Sequence, residues 1–274
     1  MALSEDIQSG DVTSHYFVPE TAQANAYVKV KDQGIIAGLE IAETVCQLVD
    51  PTIQVSTLKA DGDSVTHGDY VMQWQGSAQS ILTAERTALN FLQRLSGIAT
   101  KTHSYSSLIS HTTCKLLDTR KTTPGWRWLE KMAVRAGGGY NHRMGLYDRA
   151  MVKDNHLVAE HSLEAIQTGI NTLKSEQPQV EVELEADTLE QVKDFLTLQG
   201  VDYILLDNMP PAQLREALQL RTEAGSSILL EASGGVTHDT IVEIAETGVD
   251  FVSVGALTHS AIALDISLEF TPVA

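Results

Sequence analysis

Nine of the chain's 19 lysine and arginine residues lie between Lys115 and Lys153, although the protein carries a formal charge of −17. Only Asp118, Glu130, Asp148 and Asp154 balance them in and beside that stretch. Two runs stand out: Asp118-Thr119-Arg120-Lys121-Thr122-Thr123-Pro124-Gly125 and Gly137-Gly138-Gly139-Tyr140-Asn141-His142-Arg143. Both put cations beside glycines, a turn proline or small hydroxyl residues. Cations in such loops suit a small, highly anionic ligand held in a pocket. A solvated basic helix face would need helical spacing instead, and glycine- and proline-marked loops do not supply it.

The counterpart of a cation cluster is a place for phosphate. Ser233-Gly234-Gly235-Val236-Thr237 and Val254-Gly255-Ala256-Leu257-Thr258 each follow a short apolar run and lead into a helical pattern. Consecutive glycine-bearing βα turns aim backbone N–H groups at an anion, so Ser233, Gly234, Gly235 and Gly255 are candidate phosphate ligands. Glu183, Asp207 and Glu231 are spaced 24 residues apart, each near the end of a strand-like run. Glu183 faces away from Val182 and Leu184, while Glu181, on the same face, lies deeper. Glu183 and Asp207 at one mouth could hold Mg²⁺ through its waters, bind ribose hydroxyls, stabilise a sugar cation, or pair with Lys153 or Arg143. Lys153 ends Ala150-Met151-Val152, where a barrel lysine could form a Schiff base, as in an aldolase-like lyase. The nearby arginines count against that, because an anion site keeps a lysine charged. No histidine group has metal-site spacing; His142 is singled out by its glycine, Asn141 and Arg143 neighbours, whereas His103, His111, His161 and His259 read as surface or capping residues.

These residues need elements to position them. From Lys115 onward, short apolar strands (115–117, 150–152, 180–184, 203–206, 228–230, 251–254) alternate with helices, which predicts a parallel α/β barrel of six or seven strands. The first hundred residues read as strand-rich α+β: strands over 26–31, 53–58 and 70–75, and helices over 38–49 and 82–95, the last with Thr83 as its N-cap.

The bulk properties narrow the function. A sequence pI near 4.8 argues against nucleic acid as a partner, since that needs a broad basic face. No stretch nears the roughly 18 apolar residues of a membrane span, and Met1–Asp11 has no apolar run of a signal peptide. Cys46 and Cys114 fit no metal or redox spacing and read as buried thiols of a reducing, cytoplasmic setting.

The two cationic runs, continued by Met144-Gly145-Leu146, and Val152-Lys153-Asp154-Asn155-His156 resemble nicotinate-nucleotide pyrophosphorylase (carboxylating), also called quinolinate phosphoribosyltransferase, of the type II phosphoribosyltransferases. Glu85-Arg86-Thr87-Ala88-Leu89-Asn90, Leu95-Ser96-Gly97-Ile98-Ala99-Thr100, Val180-Glu181-Val182-Glu183, Leu205-Leu206-Asp207-Asn208 and Glu231-Ala232-Ser233-Gly234-Gly235 match in order, from Gly10-Asp11-Val12-Thr13 onward. The resemblance implies a pentosyltransferase that turns quinolinate and phosphoribosyl pyrophosphate into nicotinate mononucleotide, CO₂ and pyrophosphate with Mg²⁺, in de novo NAD biosynthesis. It implies a quinolinate grip of Arg86, Arg120, His142, Arg143 and Lys153, with Arg86 donated by the partner subunit of a homodimer. It further implies Lys121 on phosphoribosyl pyrophosphate, Glu183 and Asp207 on ribose and metal waters, and Ser233, Gly234, Gly235 and Gly255 on the 5′-phosphate. Lys153, Glu183 and Asp207 are the implied catalytic residues. The implied architecture is an incomplete barrel over 101–257 and an N-terminal α+β sandwich over 1–100, onto which 258–274 packs back. A related molybdenum-transport-associated subfamily shares the fold, but every grip residue is present here. Trp126, Trp128 and Arg149 depart from the usual small or aliphatic residues, and Glu185-Ala186-Asp187 makes a slightly longer loop.

Overall fold

The computed structural model describes residues 1–153 and 162–272. Asp154-Asn155-His156, expected to shape the turn after Lys153, lie outside the described residues. Two compact units form: residues 1–103 with Leu129–Gly138 and the segment from Ser260, and Ser104–Trp128 with Gly139–His259. The segment Leu129–Gly138 falls inside the expected 101–257 unit, yet it groups with the first. Within that first unit Arg94 pairs with the fully buried Glu130 at 3.0 Å.

The first unit begins with helices α1 (Ala2–Ile7) and α2 (Val12–Phe17), followed by strands β1 (Gln23–Val30) and β2 (Gly34–Ile35) and helix α3 (Leu39–Val49). Strands β3 (Gln54–Thr57), β4 (Ser64–Val65) and β5 (Tyr70–Ser77) lead into helix α4 (Ala78–Leu108). With the C-terminal strand β12 (Ile266–Pro272), an antiparallel sheet forms in the order β12-β1-β5-β3. Period-two alternation builds its core: Ala24, Ala26, Val28 and Val30 of β1 are buried, and the i, i+3, i+7, i+11 stripe Ile81, Ala84, Ala88 and Leu92 of α4 joins the same cluster.

Helix α4 is much longer than the expected 82–95. Thr83 is not its N-cap; the Thr83 hydroxyl bonds back to the Gln79 carbonyl at 2.9 Å and to Asp11 Oδ2 at 3.1 Å. Gly97 lies inside the helix. A Cβ there would lie 2.0 Å from the Ile262 carbonyl oxygen, so the glycine admits a crossing chain.

In the second unit, strand β6 (Lys115–Leu117) comes first; helix α5 (Arg127–Ala136) follows it in sequence, with all but its first two residues in the first unit. Strand β7 (Arg149–Val152), helix α6 (Leu163–Glu176), strand β8 (Glu181–Ala186), helix α7 (Leu189–Phe195) and strand β9 (Tyr203–Asp207) follow. Helix α8 (Pro211–Glu223), strand β10 (Leu229–Ser233), helix α9 (Ile241–Ala245), strand β11 (Phe251–Ser253) and helix α10 (Ala256–His259) complete it. The sheet order is β6-β11-β10-β9-β8-β7, and every pairing is parallel. Six parallel strands with helical crossovers are the incomplete α/β barrel expected from the strand spacing. Beyond β6, an isolated parallel bridge joins Leu117 to Tyr140.

Candidate active site

A cavity of about 560 Å³ opens at the C-terminal ends of the barrel strands. Arg120, Lys121, Arg143 and Lys153 line it together with Asp207, Asn208, Ser233, Gly234 and Gly235; His142, Glu185 and Glu231 complete its polar wall. The site is confined to the second unit.

Local chemistry explains how each cation is presented. Asp118, just past β6, is fully buried; its Oδ1 accepts the His142 N–H at 2.9 Å and thereby joins the two cationic runs. The Thr119 hydroxyl accepts the Lys121 N–H at 3.0 Å, and Thr258 Oγ1 donates to the Lys121 carbonyl at 2.7 Å. A short-range turn and a long-range anchor therefore hold the loop that carries Arg120 and Lys121. Arg143 Nη1 donates to the Arg149 carbonyl at 3.0 Å. Burial first, and then the neighbouring Arg120, lower the Arg143 guanidinium from its ordinary value. Lys153 is ion-paired with Glu185.

The placement of Glu183 corrects the sequence reading. Its side chain is fully buried and is not part of the cavity wall, whereas Glu185 is. The strand was expected to stop at Leu184, but β8 runs to Ala186, so the acid at its open end is the one two residues further on. Both acids share a face, since side chains alternate along a strand. The ladder confirms the depths: Glu185 is opposite Leu205, while Glu183 is opposite Tyr203, four residues short of Asp207. The equal 24-residue spacing thus mixes three levels. Asp207 is opposite Ser233, and Glu231 opposite Leu205.

Glu183 and Glu231 instead flank His142. His142 Nε2 lies 3.2 Å from Glu183 Oε2 and 3.4 Å from Glu231 Oε2, and all three residues are buried. Arg149, the unusual residue of β7, reaches the same group: Nη1 is 3.6 Å from Glu183, Nη2 is 2.8 Å from Glu181, and the guanidinium stacks 4.0 Å from the Tyr203 ring centroid. Burial opposes charge on His142, but the two carboxylates outweigh it and push the imidazole up to about 9. Yet the Arg143 N–H donates to Nδ1 at 2.6 Å, so the lone pair a second proton needs is occupied. We assign the ring proton to Nε2, between the two carboxylates. Burial and the charge of Glu183 raise Glu231 above its usual value, while His142, against the cost of burial, holds Glu183 below its own.

One histidine and two carboxylates within 4.8 Å of one another could in principle ligate a metal. The hydrogen bonding argues otherwise. A metal on Nε2 calls for a proton on Nδ1 with an acceptor facing it, and here Nδ1 faces a donor. Glu185 and Asp207 are a better donor set for Mg²⁺, because carboxylate oxygens in an open cavity suit a hard cation that keeps its waters.

The glycine loop after β10 holds Ser233, Gly234 and Gly235 in the cavity wall. The helices after the two glycine turns have only five and four residues, so anion binding there rests on loop N–H groups and not on a helix dipole. Gly255 lies outside the cavity wall but close to it: a Cβ at 255 would sit 2.8 Å from Lys121 Cδ and 3.4 Å from His259 Cδ2. His259, read from sequence as a surface or capping residue, is exposed and borders this second glycine turn. Arg86 lies on α4, with 60% of its side chain exposed and Glu85 3.8 Å away; it does not line the cavity.

Sequence reasoning therefore missed Glu185 and Asn208. The signal for Glu185 was available in the extra length noted at Glu185-Ala186-Asp187, which vanishes once the strand is extended by two residues. Asn208 carried a weaker signal, as asparagine is among the few residues that tolerate a left-handed backbone.

Residues 11–96 match the family "Quinolinate phosphoribosyl transferase, N-terminal domain", and residues 98–269 match "Quinolinate phosphoribosyl transferase, C-terminal domain". The chain is 42% identical over 267 residues to the probable nicotinate-nucleotide pyrophosphorylase [carboxylating] of Bacillus subtilis, covering 97% of this chain and 90% of that one. It is 41% identical over 285 residues to the chloroplastic nicotinate-nucleotide pyrophosphorylase [carboxylating] of Arabidopsis thaliana, covering 98% and 80%. The crystal structure of NadC from Streptococcus pyogenes superposes with a TM-score of 0.92 at 40% identity, covering 100% of this chain and 95% of that one.

Proposed function

The chain belongs to the quinolinate phosphoribosyltransferase family, and from that premise we propose that it transfers the phosphoribosyl group of phosphoribosyl pyrophosphate to quinolinate, as a pentosyltransferase of de novo NAD biosynthesis. Pyrophosphate and CO₂ leave, and nicotinate mononucleotide remains. One observation carries the reading: a single cavity gathers Arg120, Lys121, Arg143 and Lys153 and also contains a Ser-Gly-Gly loop and the carboxylates of Glu185, Asp207 and Glu231.

The physical logic is repulsion and its relief. Quinolinate is a dianion and phosphoribosyl pyrophosphate is more highly charged, so the cations offset the cost of bringing them together. Arg120 and Arg143 are suited to bidentate carboxylate contacts that aim the pyridine nitrogen at the anomeric carbon. Lys121 meets the pyrophosphate, and Ser233, Gly234, Gly235 and Gly255 take the 5′-phosphate. Positive charge grows on the ribose as pyrophosphate departs, and Glu185 and Asp207 stabilise it. The alkylated ring then acts as an electron sink, the 2-carboxylate is lost as CO₂, and C2 takes up a proton. Glu185 and Asp207 would hold Mg²⁺ through its waters, and that ion supplies neutralisation of the leaving pyrophosphate.

The remaining parts of the reading concern assembly. Arg86 completes the quinolinate grip from the partner subunit of a homodimer, which is consistent with its exposure and its absence from the cavity of its own chain. Among the described residues no helix is long and apolar enough to cross a membrane, and two buried free thiols suit a reducing cytoplasm. The test is release of labelled CO₂ from carboxyl-labelled quinolinate, dependent on both phosphoribosyl pyrophosphate and Mg²⁺. Absence of release, or equal kcat/KM for nicotinate, sinks the proposal, since a site built for two carboxylates discriminates by about 10⁴ against an analogue that leaves its polar groups unpaired.

A further inference from the structure

Asn208 adopts φ +54°, and apart from Gln8 it is the non-glycine residue with positive φ among the described residues. A left-handed asparagine in a cavity wall costs backbone energy that its surroundings must repay. Two hydrogen bonds offset it, and the side chain packs closely on the neighbouring loop. Asn208 Nδ2 donates to Asp207 Oδ2 at 2.6 Å. Its backbone N–H donates to the Ser233 carbonyl at 2.8 Å. Its Oδ1 closes on the next residue of that loop so tightly that a Cβ on Gly234 would lie 2.2 Å away. Gly234 itself has φ +89°, so glycine is required there on both counts.

These contacts join the ends of two neighbouring strands. Asp207 and Ser233 are opposite each other across the β9–β10 ladder, and Asn208 is the residue at which β9 turns away. The left-handed turn sends the asparagine side chain back toward its own strand end. One amide then touches the Asp207 carboxylate with its nitrogen and the glycine loop with its oxygen. We propose that Asn208 is a positioning residue that sets the Asp207 carboxylate and the Ser233-Gly234-Gly235 loop in a fixed relation, so that the ribose-facing acid and the phosphate-facing amides act on one phosphoribosyl group. This rests on the reading given under Proposed function, and it adds a residue that touches no reacting atom.

The obvious alternative is that Asn208 is present only because the turn needs a left-handed residue. Glycine separates the two roles. Asn208→Gly keeps the left-handed turn at no steric cost and deletes the amide. Asn208→Ala deletes the amide and keeps the strain. If Asn208 positions the site, Asn208→Gly melts at or above the wild-type temperature, yet its kcat/KM for phosphoribosyl pyrophosphate falls about 10-fold or more, the scale of a lost hydrogen bond to a charged group. KM for quinolinate stays within about two-fold, because the amide does not face the cationic grip. Asn208→Ala shows the same kinetic loss with a lower melting temperature. A double-mutant cycle tests action through Asp207: Asp207→Asn with Asn208→Gly should be little worse than Asp207→Asn alone. Wild-type kcat/KM in Asn208→Gly, or losses that multiply in the double variant, overturns the proposal. Failure of the wild-type chain itself to release CO₂ overturns the underlying reading and this one with it.

Discussion

Replacing Glu183 and Glu185 in turn by glutamine should separate two acids that lie on one strand face but serve different ends. Glutamine keeps the shape and removes the charge. Glu185 lines the cavity against Lys153, whose side chain is 40% exposed, so loss of that ion pair should cost about 0–1 kcal/mol of stability. Its charge is opposite a ribose cation that exists only in the transition state, so kcat should fall about 10²-fold, or about 2.7 kcal/mol. Glu183 has no exposed surface and is 3.2 Å from His142 and 3.6 Å from Arg149. Breaking a buried charged pair costs about 3–5 kcal/mol. Arg149 keeps Glu181 at 2.8 Å and is 13% exposed, which places the cost at the lower end, about 3 kcal/mol. For a chain of this size that is a drop of about 6–12 °C in Tm. The assay is a thermal melt beside steady-state CO₂ release. Glu185→Gln should melt within about 4 °C of wild type and turn over poorly. A Glu183→Gln protein with unchanged Tm and lost turnover, beside a fully active Glu185→Gln protein, would refute the assignment and restore Glu183 to the ribose.

Three further outcomes follow from the buried groups and the exposed arginine. Glu231, raised first by burial and then by the charge of Glu183, should lower stability as pH rises from its ordinary 4.5 through its folded value; Glu231→Gln should therefore gain stability relative to wild type as pH increases, and urea midpoints at pH 5 and pH 8 that differ from wild type by the same amount would contradict this. Burial pushes the Cys46 and Cys114 thiols up to about 12, so the native chain should resist alkylation at pH 8 and take two labels in urea; rapid native labelling would show that either is exposed. Arg86→Ala and Lys121→Ala should each be nearly inactive, and co-refolding them should return about a quarter of wild-type activity if each site draws Arg86 from the partner; a mixture as inactive as its parents, despite subunit exchange, would place Arg86 in its own subunit or outside the site.

The barrel was readable because its strands are short apolar runs at regular intervals. All six observed strands overlap the six expected ones, and no end differs by more than three residues. The cationic loops were readable because composition marks them: Arg120, Lys121, His142, Arg143 and Lys153 do share one cavity. What failed was depth along a strand. Alternation gives the face of Glu181, Glu183 and Glu185 but not their level, which depends on how far the ladder continues. The chain has apolar Leu184 and small Ala186 between its acids, so nothing local stops β8 at 184. The length of α4 failed for a related reason. Gly97 reads as a weak point in a helix until the crossing chain at Ile262 is known, and that contact joins residues far apart in sequence. Arg149 was noted as unusual, but its stacking on Tyr203 and its reach to Glu183 depend on strand neighbours that sequence order does not reveal.

The acids around His142 and those that engage Lys153 and Asn208 make electrostatic sense together. A cavity that gathers Arg120, Lys121, Arg143 and Lys153 before its ligand arrives must hold like charges close, and the lowering of Arg143 by burial and by Arg120 registers that cost. Acids at the cavity mouth would relieve the repulsion but would also repel quinolinate and phosphoribosyl pyrophosphate. Glu183 avoids this conflict by being buried behind the cavity wall, and Glu231, fully buried although it borders the cavity, is turned toward His142, so both carboxylates support the cations from beneath. Glu185 and Asp207 do reach the cavity, yet each is engaged there, by Lys153 and by Asn208. Their charge is thus partly masked in the resting site. It becomes favourable where the reaction itself creates positive charge, on the ribose. The chain's net charge of −17 then does no harm to binding, because over distances beyond about 8–10 Å salt screens it while the local cations remain close to the ligand.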